Sequence, residues 1–235
     1  YLPMQTKPSF RINELRIAAS FDGRFYLIIG MLFYLAFIKV TFPKYFYNVF
    51  ELIFQSPIRQ KQTREQLQQN NLASLFSNIL FILNASIFVS LVAVKNAWVD
   101  LSLYSCIAYS AVGFTALYLF KFLFLWLSGW LFSQGEAIGN YSFIVFLTNK
   151  VMGVFLIPAI LLLAFSPESV QDFAYNSALI IISILFVYRY LISFSIVRAS
   201  LKVSAFHFFL YLCTCEVLPM LVLYKLIMDF ISGTF

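Results

Sequence analysis

Charge is what this chain has least of. Only 11% of its 235 residues are charged, whereas 62% are hydrophobic and 20% aromatic. A soluble domain carries about 25% charged residues, so this composition excludes an ordinary water-soluble fold. Histidine occurs once, at His207, which rules out His-rich metal sites of the H-E-x-x-H kind. Three cysteines, Cys106, Cys213 and Cys215, all sit in apolar runs. An odd, membrane-buried set argues against a disulfide framework, and the C-x-C pair would point to different helix faces. They read as small buried hydrophobes. A Gly-rich phosphate loop, a G-x-S-x-G elbow and a magnesium-holding acidic cluster are all missing. No catalytic residue, metal ligand or cofactor site is therefore assigned, and the reading leans away from an enzyme.

What the chain does have is long apolar runs, each near the ~20 residues that cross ~30 Å of hydrocarbon. The runs are continuous and do not alternate in ~10-residue segments, so helices are expected and not an outer-membrane barrel. The fold class is all-α, a polytopic transmembrane bundle of about six spans with one short interfacial amphipathic helix. Residues 1–24 form a polar, basic extramembrane arm, and 25–235 form a single transmembrane domain. Spans are expected at about 25–42, 72–94, 101–121, 141–165, 173–194 and 205–231, with the interfacial helix at 43–56. The chain starts at Tyr1 without a methionine, so the native N-terminus is expected further upstream, and no cleavable signal peptide is visible.

Pro43 suits the first turn of the short helix, where its missing N–H costs nothing. Phe42, Phe46, Val49, Phe50, Ile53 and Phe54 make its apolar face, and Lys44, Asn48, Glu51 and Gln55 the polar one. Such a helix either lies in the membrane interface or packs on its own bundle. The second span carries Ser77, Asn78, Asn84, Ser86 and Ser90, read as interhelical glue. The third shows small residues at Ser102, Ser105, Cys106, Gly113 and Ala116, suited to close packing, and its aromatic tail 122–132 is expected to bend along the interface. SQGEAIGN (133–140) and the acidic SPESVQD (166–172) read as loops, and 195–204 as a basic turn.

The net charge of +6 reports loop topology and contact with anionic lipid, not nucleic acid. Candidate lipid-contacting cations are Lys44, Arg59, Lys61, Arg64, Arg198 and Lys202. The positive-inside rule puts 43–71 and 195–204 in the cytoplasm and both termini outside, although the basic arm opposes this. The bundle has no internal repeat of the inverted-transporter kind.

Ionisable groups within spans are functional candidates by default, and depth decides which qualify. His207 and Lys225 lie eighteen residues apart, near opposite interfaces, where snorkelling explains them. Lys121 falls at the far interface of the third span. His207 and Tyr211, at i and i+4, could form an acid/base pair, yet a lone interfacial histidine is more often structural. Glu216 sits midway between His207 and Lys225, and Pro219, on its face, frees the carbonyl of Cys215. Lys150 lies ~10–14 Å into the fourth span, a depth matching Glu216 within about a turn. A midplane polar site built from Glu216, Lys150, Pro219 and Pro158 is expected, with an ion pair that only fixes helix register as the plainer alternative.

The sixth-span sequence FHFFLYLCTCEVLPMLVLYK, the exit IKVTFPKYF and the connector QSPIRQKQTRE resemble a Bacteroidota integral membrane family, the domain of unknown function 4271. Glu216, Leu218, Pro219, Leu221, Val222, Tyr224 and Lys225 carry its most specific pattern. The resemblance implies a multi-pass protein of a bacterial inner membrane, with a further non-membrane region before it and no catalytic residues to carry over. The expected function is a scaffold or accessory subunit of a cell-envelope assembly, with membrane lipids and an inner-membrane protein as partners. The alternative is a transporter or lipid-handling protein using the Glu216 notch.

Overall fold

This computed structural model describes residues 22–54, 70–99, 101–131 and 135–200, together with helical Lys225. Six helices follow in order: α1 Asp22–Thr41, α2 Pro43–Phe54, α3 Asn71–Lys95, α4 Leu103–Leu131, α5 Gly135–Phe165 and α6 Glu168–Ser200. All except α2 are long and apolar enough to cross a membrane. The fold is an all-α helical bundle, with α5 at its centre against α2, α3, α4 and α6. The expected sixth span lies outside the described residues.

Several helices outrun their expected limits. Residues 122–131 continue α4 as helix where a bend was expected, and α5 takes in Gly135–Asn140 from the expected loop. α6 begins at Glu168, inside the expected acidic loop, and runs through the expected basic turn to Ser200. The reason is local: these stretches hold no proline to break the i→i−4 ladder, so propagation continues from the apolar helix already formed.

At Phe42 the chain bends but keeps its ladder, with Phe42 N–H donating to Ile38 (2.9 Å) and Phe46 N–H to Phe42 (3.0 Å). Pro43 has no N–H to lose there. Phe76 of α3 packs against Tyr34, Phe37 and Phe42, and the Tyr34 hydroxyl donates to its carbonyl at 3.1 Å. α2 is thereby laid against the bundle. Its buried face is Tyr45, Val49 and Leu52, while Phe46 and Phe50 are half-buried and Lys44 and Tyr47 are exposed. The helix packs on the bundle with one face and shows interfacial residue types on the other. The expected apolar face was rotated from the real one because Tyr45 is both aromatic and polar.

The serines of α3 divide by geometry. Ser77 and Ser86 donate to Ala73 and Ile82 of their own helix, at 2.8 and 2.7 Å, although Ser77 also meets the Tyr45 hydroxyl of α2. Ser90 crosses to Ser110 of α4 at 3.3 Å, and Asn84 Nδ2 donates to the Gly153 carbonyl of α5 at 2.7 Å. Gly153 lets the two backbones approach. A Cβ there would fall 2.9 Å from Phe81 Cα and 3.3 Å from its nitrogen. By contrast a Cβ at Gly113, in the expected small-residue stripe, meets nothing within 4 Å. Of that stripe only Cys106 is buried, and α4 instead packs through Leu103, Ile107, Phe114 and Tyr118.

α3 closes on a left-handed cap. Ala97 adopts φ 51°, Trp98 N–H donates to Ala93 (3.0 Å) and Ala97 N–H to Val94 (3.2 Å). These are the two bonds of a Schellman motif, in which a side chain costs ~1–2 kcal/mol against glycine. Ala97→Gly is expected to raise stability by about 1 kcal/mol, read as a higher detergent melting temperature. Lys95 beside this cap forms an ion pair with Asp172 of α6. Asp172 is largely exposed, so Asp172→Asn is expected to cost only about 0.2–1 kcal/mol by the same measurement.

Candidate functional site

Lys150 is a buried cation on the central helix, with 8% of it exposed. α5 presents it between α2 and α3. Helical side chains tilt toward their own N-terminus, so the lysine stem runs back along α5. Its ammonium donates to Tyr45 Oη at 2.8 Å and Ser74 Oγ at 2.7 Å. It also lies 5.6 Å from the Tyr45 ring centroid, a cation–π distance. One ammonium thus ties three helices together. Burial pushes the Tyr45 phenol up to about 12, against hydrogen bonds with Ser74 and Ser77 that pull it down. Both acceptors of the lysine are therefore neutral hydroxyls.

Contacts fix the height of this site. Ser74 and Phe81 of α3 meet Lys150 and Gly153 of α5 in the same order, so the two helices run parallel. Ser74 stands three residues after Asn71, which places the amine only ~4.5 Å beyond the start of α3. Lys150 was expected near the midplane. Measured along α5 it stands eleven residues into the apolar stretch Gly139–Phe165, and its four-carbon stem carries the amine about a turn back, to the level of Ser74.

Pro158 is not part of this site. It lies eight residues, ~12 Å, further along α5, exposed on a stripe with Phe155 and Leu162. Glu216 and Pro219, the other members of the expected midplane site, lie outside the described residues. So do His207, Tyr211, Arg59, Lys61, Arg64 and Lys202. Lys44 is exposed on α2, Arg198 falls on the last turns of α6, and Lys225 is exposed. Lys121 is half-buried ten residues before the end of α4, because that helix runs on past it.

A second polar contact was missed altogether. Asn149 donates to the Tyr118 hydroxyl at 3.3 Å, joining α5 to α4. Arg189 of α6 is 2% exposed, with its guanidinium 5.6 Å from the Phe186 ring and close enough to Tyr118 to act on it electrostatically. On the same face, Ser193 is 1% exposed. Its i, i+4 spacing from Arg189 was visible in the sequence, but burial of that face was not. Tyr45, Ser74 and Gly153 carried no signal beyond type, since each matters only through the residue opposite it.

The space around Lys150 is small. Ile38, Tyr45, Phe46, Val49, Phe50, Ser77, Leu80 and Val154 enclose with it a cleft of about 10 Å³, the size of one water. A comparable void of about 10 Å³ between α5 and α6 is lined only by apolar side chains. Among the described residues no three His, Cys, Asp or Glu side chains gather as metal ligands.

Helical spans, polar cross-links inside the bundle and apolar side chains on its outside define a multi-pass helical membrane protein. The chain belongs to the family described as domain of unknown function (DUF4271), whose model matches residues 24–227. No curated protein and no solved structure matches it.

Proposed function

We propose that this protein is a non-catalytic scaffold or accessory subunit of a cell-envelope assembly in a bacterial inner membrane. One observation carries the reading. The described bundle joins its helices through Asn84, Asn149 and Lys150, and its two main voids measure about 10 Å³ each, while among the described residues its outer helices stay uncovered. Only 6% of the α4 span and 17% of the α1 and α6 spans are buried. The described residues thus offer surface to neighbours, with voids no larger than a water among the two described above. Lipid accounts for some of that surface and a protein partner for the rest. The transport alternative, centred on Glu216, Lys150 and Pro219, needs a hydrated cavity larger than those the described residues enclose.

The sidedness follows the same proposal. α3 begins and α6 ends at one end of the bundle, and the sequence next to both points is basic, which supports a cytoplasmic face for that end. Gentle detergent extraction from native membranes, followed by mass spectrometry and imaging, tests the function. A partner at constant ratio is the expected result. A solitary bundle with a hydrated cavity reaching Glu216 would overturn it in favour of transport.

A further inference from the structure

The Lys150 ammonium is buried between neutral groups. Its partners are the hydroxyls of Tyr45 and Ser74, and no carboxylate of the described residues lies within ion-pair distance. A full charge taken out of water and given, among the described residues, only neutral acceptors is poorly compensated by them, so an anion gains from approaching it. An ammonium has three protons, and the described residues use two.

Where the anion comes from is set by height and by the walls of the cleft. The amine lies ~4.5 Å past the start of α3 and near the turn where α1 ends, since Phe42 packs on Phe76, two residues from Ser74, so a lipid headgroup can come to that level. α2 covers it and exposes Lys44 and Tyr47, residue types that sit at lipid headgroups. The cleft walls beside the charge are apolar: Ile38, Phe46, Phe50, Leu80 and Val154. A ligand with one negative charge and long alkyl chains matches both features. The first backbone N–H groups of α3, which lack acceptors in their own helix, add partial positive charge next to Ser74.

We propose that Lys150 is the core of a binding site for the phosphate of an anionic phospholipid, seated at the edge of α2 with its acyl chains along Phe46 and Phe50. The cleft of about 10 Å³ is too small for the phosphate itself. The headgroup stands at its mouth, and one water spans to the third ammonium proton.

The test is native mass spectrometry of the purified full chain in micelles doped with phosphatidylglycerol, with phosphatidylcholine as the comparison lipid. The wild type is expected to retain phosphatidylglycerol selectively. Lys150→Met is expected to weaken that retention about tenfold, the loss of one charge-assisted contact, while Lys44→Gln changes it far less. Val154→Phe narrows the cleft without touching any charge and is expected to weaken retention too, which keeps the test open if Lys150→Met folds poorly. Equal retention by the wild type, Val154→Phe and a folded Lys150→Met overturns the proposal. So does equal protection against thermal unfolding by inorganic phosphate alone, which would assign the site to a free anion. A third overturning result is a Lys150→Met defect repaired by adding Glu216→Gln, which would make Glu216 of this chain the counter-ion.

Discussion

Gly153→Ala is expected to give the largest stability loss of any single methyl added to this bundle. The new Cβ would meet the Phe81 backbone at 2.9 Å and its Cβ at 3.1 Å, and backbone atoms cannot rotate aside. Relief requires α3 and α5 to separate, which stretches the 2.7 Å bond from Asn84 to the Gly153 carbonyl. Asn84 is fully buried, and its Oδ1 already lacks a hydrogen-bond partner, so losing the amide bond would leave the whole side chain unsatisfied. Overpacking of this kind costs ~1–3 kcal/mol, and the disturbed amide adds ~0.6–2 kcal/mol in a membrane setting. The variant should show a markedly lower detergent melting temperature and poor recovery of monodisperse protein. Gly113→Ala is the matched control, since its Cβ meets open space in a helix interior, and it should melt at or slightly above the wild type. Equal melting of both variants would show that α3 and α5 are not in such close contact.

The second large effect is expected at Tyr45. Tyr45→Phe keeps the ring beneath the ammonium but removes the 2.8 Å acceptor. Lys150 then has one direct acceptor, Ser74, and a buried ammonium loses a charge-assisted bond worth ~1.5–3 kcal/mol. Tyr45→Leu removes the ring as well and should cost ~0.5–2 kcal/mol more, the cation–π share. Melting temperatures in the order wild type, Phe, Leu check the energetics. If Tyr45→Phe melts like the wild type, the Lys150 contact to α2 contributes nothing and the site collapses to Ser74 alone.

Much of the architecture was legible before any coordinates. Low charge and continuous apolar runs implied helices crossing a bilayer, and α1, α3, α4, α5 and α6 each cover an expected span. Pro43 was read as the start of α2, and α2 begins there. Burial direction was less legible. In a membrane chain both the lipid face and the core face of a helix are apolar, so hydrophobic periodicity does not separate them. That is why the small-residue stripe of α4 was assigned to packing while Gly113 stands open. It is also why the Tyr45 face of α2 was missed.

By itself, then, the sequence determined the solvent: a chain with so few charges and such long apolar runs has to satisfy its backbone within helices inside lipid. It also determined which residues are costly to bury, Lys150 and Arg189 among them. Only the tertiary structure decided what each of those residues meets. Lys150 finds Tyr45 and Ser74 from residues 105 and 76 positions away, and Gly153 matters because Phe81 crosses it. Local spacing encodes which face of one helix a residue occupies. The partner across the interface depends on how two helices cross, and no single run of residues contains that.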